Sequence, residues 1–163
     1  MLKTMTLGVL LMAFVALPEG VRAQRPGTVA MTPRTVLFVC EHGAAKSVIA
    51  AAHFNKIAKE RGLPYRAVAR GTAPDATIPA GVRQGLERSG LELSVQRPMM
   101  VGKEDVSAAQ RVITFEIGIP EAVVASTVPT DWRAAPSVSA DFDIASAEIK
   151  RRVEALIDEL MRK

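Results

Sequence analysis

Cysteine is almost absent from this sequence, since Cys40 is the only one among 163 residues. A single cysteine cannot form an intramolecular disulfide, so the chain is not a disulfide-stabilised scaffold. Thiolate metal clusters are excluded for the same reason, and two histidines, His42 and His53, are too few for a convincing zinc site. We therefore expect neither a metal nor a cofactor.

A large excess of charge is lacking as well. The formal net charge is +4 at neutral pH, which suits an anionic ligand without requiring one. The clearest basic run, Lys150-Arg151-Arg152, falls within a helical pattern and is interpreted as a solvated helix face. These features predict no nucleic-acid partner.

The most apolar run, residues 7–17 (LGVLLMAFVAL), is too short to span a bilayer comfortably. It follows Lys3, and VRA at residues 21–23 is compatible with a cleavage site. The pattern predicts a secretory signal peptide over residues 1–23, followed by a linker over residues 24–34. We expect an exported protein, periplasmic or secreted, with no stable membrane association after signal cleavage. An uncleaved N-terminal anchor is the alternative.

Strand and helix patterns alternate over residues 35–163, which are predicted to form one domain. Strands are predicted at residues 35–39, 65–69, 111–115 and 125–128, and helices at residues 45–60, 80–89, 106–109 and near the C-terminus. The last helix has an apolar stripe and Asp143 as its predicted N-cap. The stripe consists of Ile149, Val153, Leu156, Ile157 and Leu160. This alternation is typical of a three-layer α/β/α domain with a parallel sheet.

Cys40 directly follows the first predicted strand, where a helix is about to begin (TVLFVCEHGAAKSVIAAA, residues 35–52). Ligands of parallel sheets bind at this edge, where helix amides and the helix dipole attract phosphate-like anions and favour a thiolate. Lys46 adds a positive charge, and Ser47 adds a hydroxyl able to donate to the thiolate. Position alone leaves three roles for Cys40, namely a small buried hydrophobe, part of an anion site, and a covalent nucleophile.

The segment VLFVCEHGAAKS resembles the C-x5-R-[S/T] loop of the low-molecular-weight protein tyrosine phosphatases and of the arsenate reductases that share their fold. The likeness continues through AVARGTAPDATIPAGVRQGLERSGLEL, EDVSAAQRVITF and residues 132–136, so it covers residues 34–161. It implies a phosphatase-like domain over residues 35–163, with a four-stranded parallel sheet in flavodoxin-like order. It also implies three catalytic residues, Cys40, Lys46 and Ser47, and a substrate-binding loop formed by Glu41, His42, Gly43, Ala44 and Ala45.

Three departures from the family pattern fall in the catalytic parts. Lys46 replaces the loop arginine and keeps the charge, but it lacks the planar fork that binds two phosphate oxygens at once. Gly43 replaces the loop asparagine and can hold the same left-handed backbone conformation. Ala135 replaces the aspartate of an aspartate-proline pair that protonates the leaving alcohol. A positioned acid is worth about 10²- to 10⁴-fold in rate, so this last departure is the most serious.

Two residues nearby are further candidates for the site. Asp131, Asp141 and Asp143 lie near the missing acid, and Asp131 is the candidate replacement, although all three are more typical of turns and helix caps. Trp132 is interpreted either as an aromatic wall that binds an aryl phosphate or as a core residue.

Three functions are compatible with these residues. The first is hydrolysis of a phosphomonoester, such as phosphotyrosine or an aryl phosphate, by a cysteine nucleophile. The second is arsenate reduction, which requires an external thiol donor because the chain has one cysteine. The third is a non-catalytic module that binds an oxyanion. Lys46 and the missing aspartate favour weak catalysis or binding alone, whereas retention of Cys40 and Ser47 favours chemistry, since a loop that only binds needs no thiol. Of the three functions we expect the phosphatase, acting slowly or on an ester with an activated leaving group.

Overall fold

Four strands and four α-helices make up the part of the chain that this computed structural model describes, residues 32–123 and 127–162. In chain order they are β1 (Arg34–Cys40), α1 (Lys46–Glu60), β2 (Tyr65–Gly71), α2 (Ala80–Arg88), α3 (Lys103–Ala108), β3 (Ala109–Thr114), β4 (Thr130–Asp131) and α4 (Phe142–Met161). The predicted signal peptide, residues 1–23, and most of the predicted linker lie outside the described residues. None of the described helices is long and apolar enough to cross a membrane.

The four strands form one parallel sheet in the order β2-β1-β3-β4, which confirms the predicted flavodoxin-like arrangement. At the carboxyl edge of the sheet Cys40 pairs with Gly71, and Val39 pairs with Thr114. The ends of the three longer strands therefore meet at one edge. The loops that follow these strands are brought together there.

Side chains of β1 are buried on both faces of the sheet. Val36, Phe38 and Cys40 pack in the cluster that includes α1, α2 and α4, whereas Leu37 and Val39 pack in a second cluster that includes α3. Successive side chains of a strand point to opposite faces, so helices must cover both sides of β1. This burial explains the nearly continuous apolar run before Cys40 and confirms the three-layer prediction.

The apolar stripe predicted for α4 is confirmed, because all five of its residues are buried. The predicted N-cap was wrong, since Asp141 rather than Asp143 caps this helix. The Asp141 carboxylate accepts hydrogen bonds from the amides of Asp143 and Ile144, at 2.9 and 3.0 Å. Asp143 lies in the first turn, where the helix dipole also favours a carboxylate, so the two aspartates give similar sequence signals.

The fourth strand was predicted at the wrong residues. Residues 127–128, the described part of the predicted strand, lie outside the sheet, and Val128 is 86% exposed. The strand forms only after Pro129, where Thr130 and Asp131 pair with Ile113 and Thr114. An apolar segment need not pair in a sheet. Pro129 has no backbone N–H to donate to a neighbouring strand, so the strand begins after it.

His53 is buried on the face of α1 that packs against α4. Its Nε2 atom lies 2.8 Å from the Ser146 hydroxyl oxygen. Burial, together with the nearby positive charge of Lys150, lowers the pKa of His53 to about 4. The ring is therefore neutral in the folded protein at neutral pH and packs between the two helices.

We expect His53 to make the protein less stable as the pH falls from about 6.5 towards 4. The unfolded chain protonates this ring near its ordinary pKa of 6.5, whereas the folded protein does not. The loss at pH 5 should reach at most about 2 kcal/mol. Urea unfolding at pH 7.5 and pH 5 measures it, with His53→Gln as the control because carboxylates titrate equally in both proteins. Equal pH dependence in the two proteins would contradict the assignment.

Candidate active site

Cys40 is the last residue of β1, and its side chain is only 8% exposed. Its Sγ atom lies 3.1 Å from the hydroxyl oxygen of Ser47, which is fully buried in the first turn of α1. When sulfur is a thiolate, this hydroxyl is the donor, and a hydrogen bond to a charged acceptor is worth about 1.5–3 kcal/mol. The strand-to-helix turn thus brings two of the predicted catalytic residues into direct contact.

The N-terminus of α1 faces this turn without a protein cap. Its N-cap residue, Ala45, has no side chain that could accept a hydrogen bond, and the first turn contains no acidic residue. The loop carbonyls of Cys40, Glu41 and His42 instead accept hydrogen bonds from the amides of Thr72, Ala73 and Asp75. These bonds hold the loop to the chain after β2. They leave the helix amides and dipole available to an oxyanion.

Two glycines allow this loop to lie directly against the end of β2. Gly43 has a φ of +59°, and a Cβ added there would lie 2.7 Å from the amide nitrogen of Gly71. A Cβ on Gly71 would lie 2.7 Å from the amide nitrogen of Gly43. Both contacts involve backbone atoms that cannot rotate away. The left-handed conformation expected for Gly43 is therefore confirmed, and Gly71 is required for a purely steric reason.

Lys46, the first residue of α1, forms an ion pair with Glu116. The two groups are 2.8 Å apart, and the lysine side chain is 19% exposed. The second carboxylate oxygen of Glu116 accepts a hydrogen bond of 3.1 Å from the amide of Ala134. The hydrogen bond and positive charge of Lys46 lower the pKa of the Glu116 carboxyl. The loop lysine is therefore already paired with an anion supplied by the protein.

Glu116 was missed in the sequence, although a signal for it exists. It follows β3 by two residues, on the same sheet edge as Cys40, and it is the first charged residue after the buried Thr114 and Phe115. Its φ is +59°, and its amide donates a 2.8 Å hydrogen bond to Asp131. The position of a charge just after a buried parallel strand was the available clue.

A cleft of about 400 Å³ opens above the thiol. Its walls comprise Cys40, Glu41, His42, Ala45, Lys46, Phe115, Glu116, Ile117, Ser137, Val138 and Ser139. Five of the predicted site residues therefore line one cavity, whereas Gly43, Ala44 and Ser47 are buried and are not part of its lining. The His42 ring lies 3.1 Å from the Asp75 carboxylate and is largely exposed. Within the described residues, no group of acidic, histidine and cysteine side chains could hold a metal ion.

The structure does not bring Asp131 and Trp132 into the cleft lining. Asp131 accepts hydrogen bonds from the Thr114 hydroxyl and the Glu116 amide, and its other oxygen binds Arg133. Trp132 packs against Phe38 and Phe115, with ring centroids 5.6 Å apart in both pairs. Of the two interpretations of Trp132, its contacts support the core residue. Asp131 supports the segment that carries Glu116.

We expect Gly71→Ala to destabilise the protein and to disorganise the loop that carries Cys40. The added methyl group would overlap the backbone of Gly43, and overpacking of this kind typically costs about 1–3 kcal/mol. Gly81→Ala is the matched control, because a Cβ there meets no atom within 4 Å and alanine favours the helix. Chemical denaturation measures both variants. A Gly71→Ala protein as stable as Gly81→Ala would contradict the role given to this contact.

Solved structures of other proteins are similar to this one, although curated sequences are not. A comparison with curated protein sequences gives no significant match. The arsenate reductase of Archaeoglobus fulgidus is similar in structure, with a TM-score of 0.64 and 27% identity over 76% of this chain and 98% of that chain. The low molecular weight protein tyrosine phosphatase of T. tengcongensis has a TM-score of 0.61 and 19% identity over 77% of this chain and 98% of its own. An arginine phosphatase from Geobacillus stearothermophilus has a TM-score of 0.62 and 21% identity, over 80% of this chain and 94% of its own.

The family model described as low molecular weight phosphotyrosine protein phosphatase matches residues 35–133. This match covers more than half of the 163 residues, including all of β1 except Arg34, the loop after Cys40, Lys46 and Glu116. The arrangement of the sheet and the thiol at its carboxyl edge agree with the match. The chain therefore belongs to the low molecular weight phosphotyrosine protein phosphatase family.

Proposed function

We propose that this protein hydrolyses phosphomonoesters, phosphotyrosine or other aryl phosphates among them, with Cys40 as its nucleophile. One observation carries the proposal, namely the contact of 3.1 Å between Cys40 Sγ and the Ser47 hydroxyl at the uncapped N-terminus of α1. A cysteine that only packs in the core does not need a hydroxyl next to its sulfur. A nucleophilic cysteine does benefit from one, because the hydroxyl can donate a hydrogen bond to the thiolate.

In the first step the thiolate of Cys40 attacks phosphorus, and the bond between phosphorus and the ester oxygen breaks. The electron pair goes to the leaving oxygen, which takes up a proton. The amides at the start of α1 and the ammonium group of Lys46 stabilise the three equatorial oxygens of the transition state. Glu41, His42, Gly43, Ala44 and Ala45 form the loop that surrounds the transferred group.

In the second step water attacks the cysteinyl-phosphate, and the bond between sulfur and phosphorus breaks. The electron pair returns to Cys40, whose thiolate is again stabilised by the Ser47 hydroxyl. Phosphate is released and the nucleophile is restored. Stabilisation of the thiolate therefore assists both the attack and the departure of sulfur.

Lys46 makes this site weaker than one with an arginine. Its ammonium is a point charge, whereas an arginine binds two oxygens of one phosphoryl group at fixed geometry. In addition, Glu116 already occupies part of its hydrogen-bonding capacity. We propose on this basis that the enzyme is slow, or that it acts on esters with good leaving groups.

We expect the reduced protein to hydrolyse para-nitrophenyl phosphate and Cys40→Ser to have only the background rate. Nitrophenolate leaves readily without a proton, so this substrate tests the nucleophile and the loop by themselves. Lys46→Arg should raise kcat/KM by about tenfold, since one further charged hydrogen bond is worth at least 1.4 kcal/mol. Lys46→Met should lower kcat/KM. Release of nitrophenolate measures all four proteins, and turnover that persists in Cys40→Ser would exclude the mechanism.

Arsenate reduction is the second candidate, favoured by the likeness to the Archaeoglobus fulgidus arsenate reductase. Attack of Cys40 on arsenate would expel water and form a sulfur–arsenic bond. An external thiol would then attack the sulfur, so that arsenic keeps the electron pair and leaves as arsenite. A second external thiol would reduce the mixed disulfide.

The same preparations distinguish the candidates when arsenate and glutathione are added. Arsenite formation that depends on Cys40, without ester hydrolysis, would identify a reductase. Binding of inorganic phosphate with neither reaction would identify a module that binds an oxyanion.

We also propose that the protein is exported to the periplasm or beyond, on the strength of the sequence pattern in residues 1–23. In a bacterial expression host the mature chain should begin at Gln24, as N-terminal sequencing of the fractionated cells would reveal. Leu11→Arg interrupts the apolar run and should leave the uncleaved chain inside the cell. A wild-type chain that is uncleaved and cytosolic would refute export.

A further inference from the structure

Only two carboxylates line the cleft among the described residues, and they are held very differently. Glu41 is an exposed loop residue whose carboxylate lies 3.8 Å from the His42 ring. Glu116 is fixed at both oxygens, one bonded to the Lys46 ammonium and the other to the Ala134 amide. A carboxyl group that moves a proton at a defined atom needs such a fixed position. Glu116 meets this requirement, and Glu41 does not.

The Glu116 carboxylate also lies next to the place where the acid is missing. Ala135, which replaces the expected aspartate, is buried and has no proton to give. The amide of the preceding residue, Ala134, donates directly to Glu116. Asp131 does not fit this role, because it is not among the residues that line the cleft, and its carboxylate instead binds the Thr114 hydroxyl, the Glu116 amide and Arg133. The end of β3 thus supplies a carboxylate where the segment before α4 supplies none.

We propose that Glu116 is the general acid that protonates the leaving oxygen and the general base that activates water in the second step. This inference rests on the proposed phosphatase function. As the ester bond breaks, the carboxyl group of Glu116 gives its proton to the departing oxygen and becomes a carboxylate. When water attacks the cysteinyl-phosphate, that carboxylate takes up a proton and the cycle closes.

The ion pair with Lys46 disfavours the protonated form of this group in the free protein. Without substrate, the ammonium of Lys46 lowers the pKa of Glu116 and keeps it ionised. A bound phosphate dianion competes for the same ammonium and adds negative charge, and both effects favour the protonated acid. Asp131 and Glu41 add negative charge nearby, and His42 lies on the same cleft. The proton arrives from solvent or with the monoanion of the ester.

Two substrates with different leaving groups separate this role from a structural one. Phenolate is a far poorer leaving group than nitrophenolate, so phenyl phosphate needs the acid and para-nitrophenyl phosphate does not. In Glu116→Gln, kcat/KM should fall by about 100-fold or more for phenyl phosphate and by less than about tenfold for para-nitrophenyl phosphate. Loss of loop structure, or of the contact with Lys46, would instead change both values by the same factor.

Two further variants complete the test. Glu41→Gln removes a carboxylate from the same cleft without touching the ion pair, so it should not discriminate between the two substrates. Glu116→Asp keeps an ionisable group and should recover part of the phenyl phosphate activity lost in Glu116→Gln. Equal losses for both substrates in Glu116→Gln, or the same discrimination in Glu41→Gln, would overturn the inference while the phosphatase function stands. A wild-type protein inactive on both substrates would overturn the two proposals together.

Discussion

The site depends on the backbone contact between the Cys40 loop and the end of β2. Gly43 and Gly71 approach so closely that neither position admits a side chain. Hydrogen bonds from Thr72, Ala73 and Asp75 to the loop carbonyls hold the same two segments together. With its carbonyls occupied on that side, the loop presents the start of α1 to the cleft, beside the thiol. The thiol, the N-terminus of α1 and Lys46 thus come together only because positions 43 and 71 are both glycine.

Charge balance in the cleft is the second constraint. A loop arginine would bind a phosphoryl group through two hydrogen bonds, but Lys46 offers a single charged group that an internal carboxylate already pairs. The pair prevents an unpaired positive charge from lying half-buried in the cleft. Glu116 also competes with an incoming oxyanion for the Lys46 ammonium. The substitution of arginine by lysine and the presence of Glu116 are therefore best understood together.

Asp131 and Trp132, which the sequence suggests as site residues, support the site instead of lining it. Asp131 binds the amide of Glu116 and the hydroxyl of Thr114, so it holds the turn at the end of β3 in its left-handed conformation. Trp132 packs against the rings of Phe38 and Phe115. Asp131 thus holds Glu116, and Trp132 packs against Phe115 of the cleft wall, although neither residue lines the cleft.

Sequence patterns alone were sufficient for the parallel sheet, the three layers, the helix α4 and the loop that contains Cys40. These features depend on local signals, such as a continuous apolar strand, a glycine in a turn or an apolar stripe at helical spacing. The N-cap of α4 and the position of β4 were predicted wrongly, because two aspartates suit a helix start and an apolar segment need not be buried. Contacts between distant segments were decided only by the tertiary structure. Glu116 lies 70 residues from Lys46, and Gly71 lies 28 residues from Gly43. No local pattern encodes such distances, because they arise when the carboxyl ends of separate strands meet at one edge of the sheet.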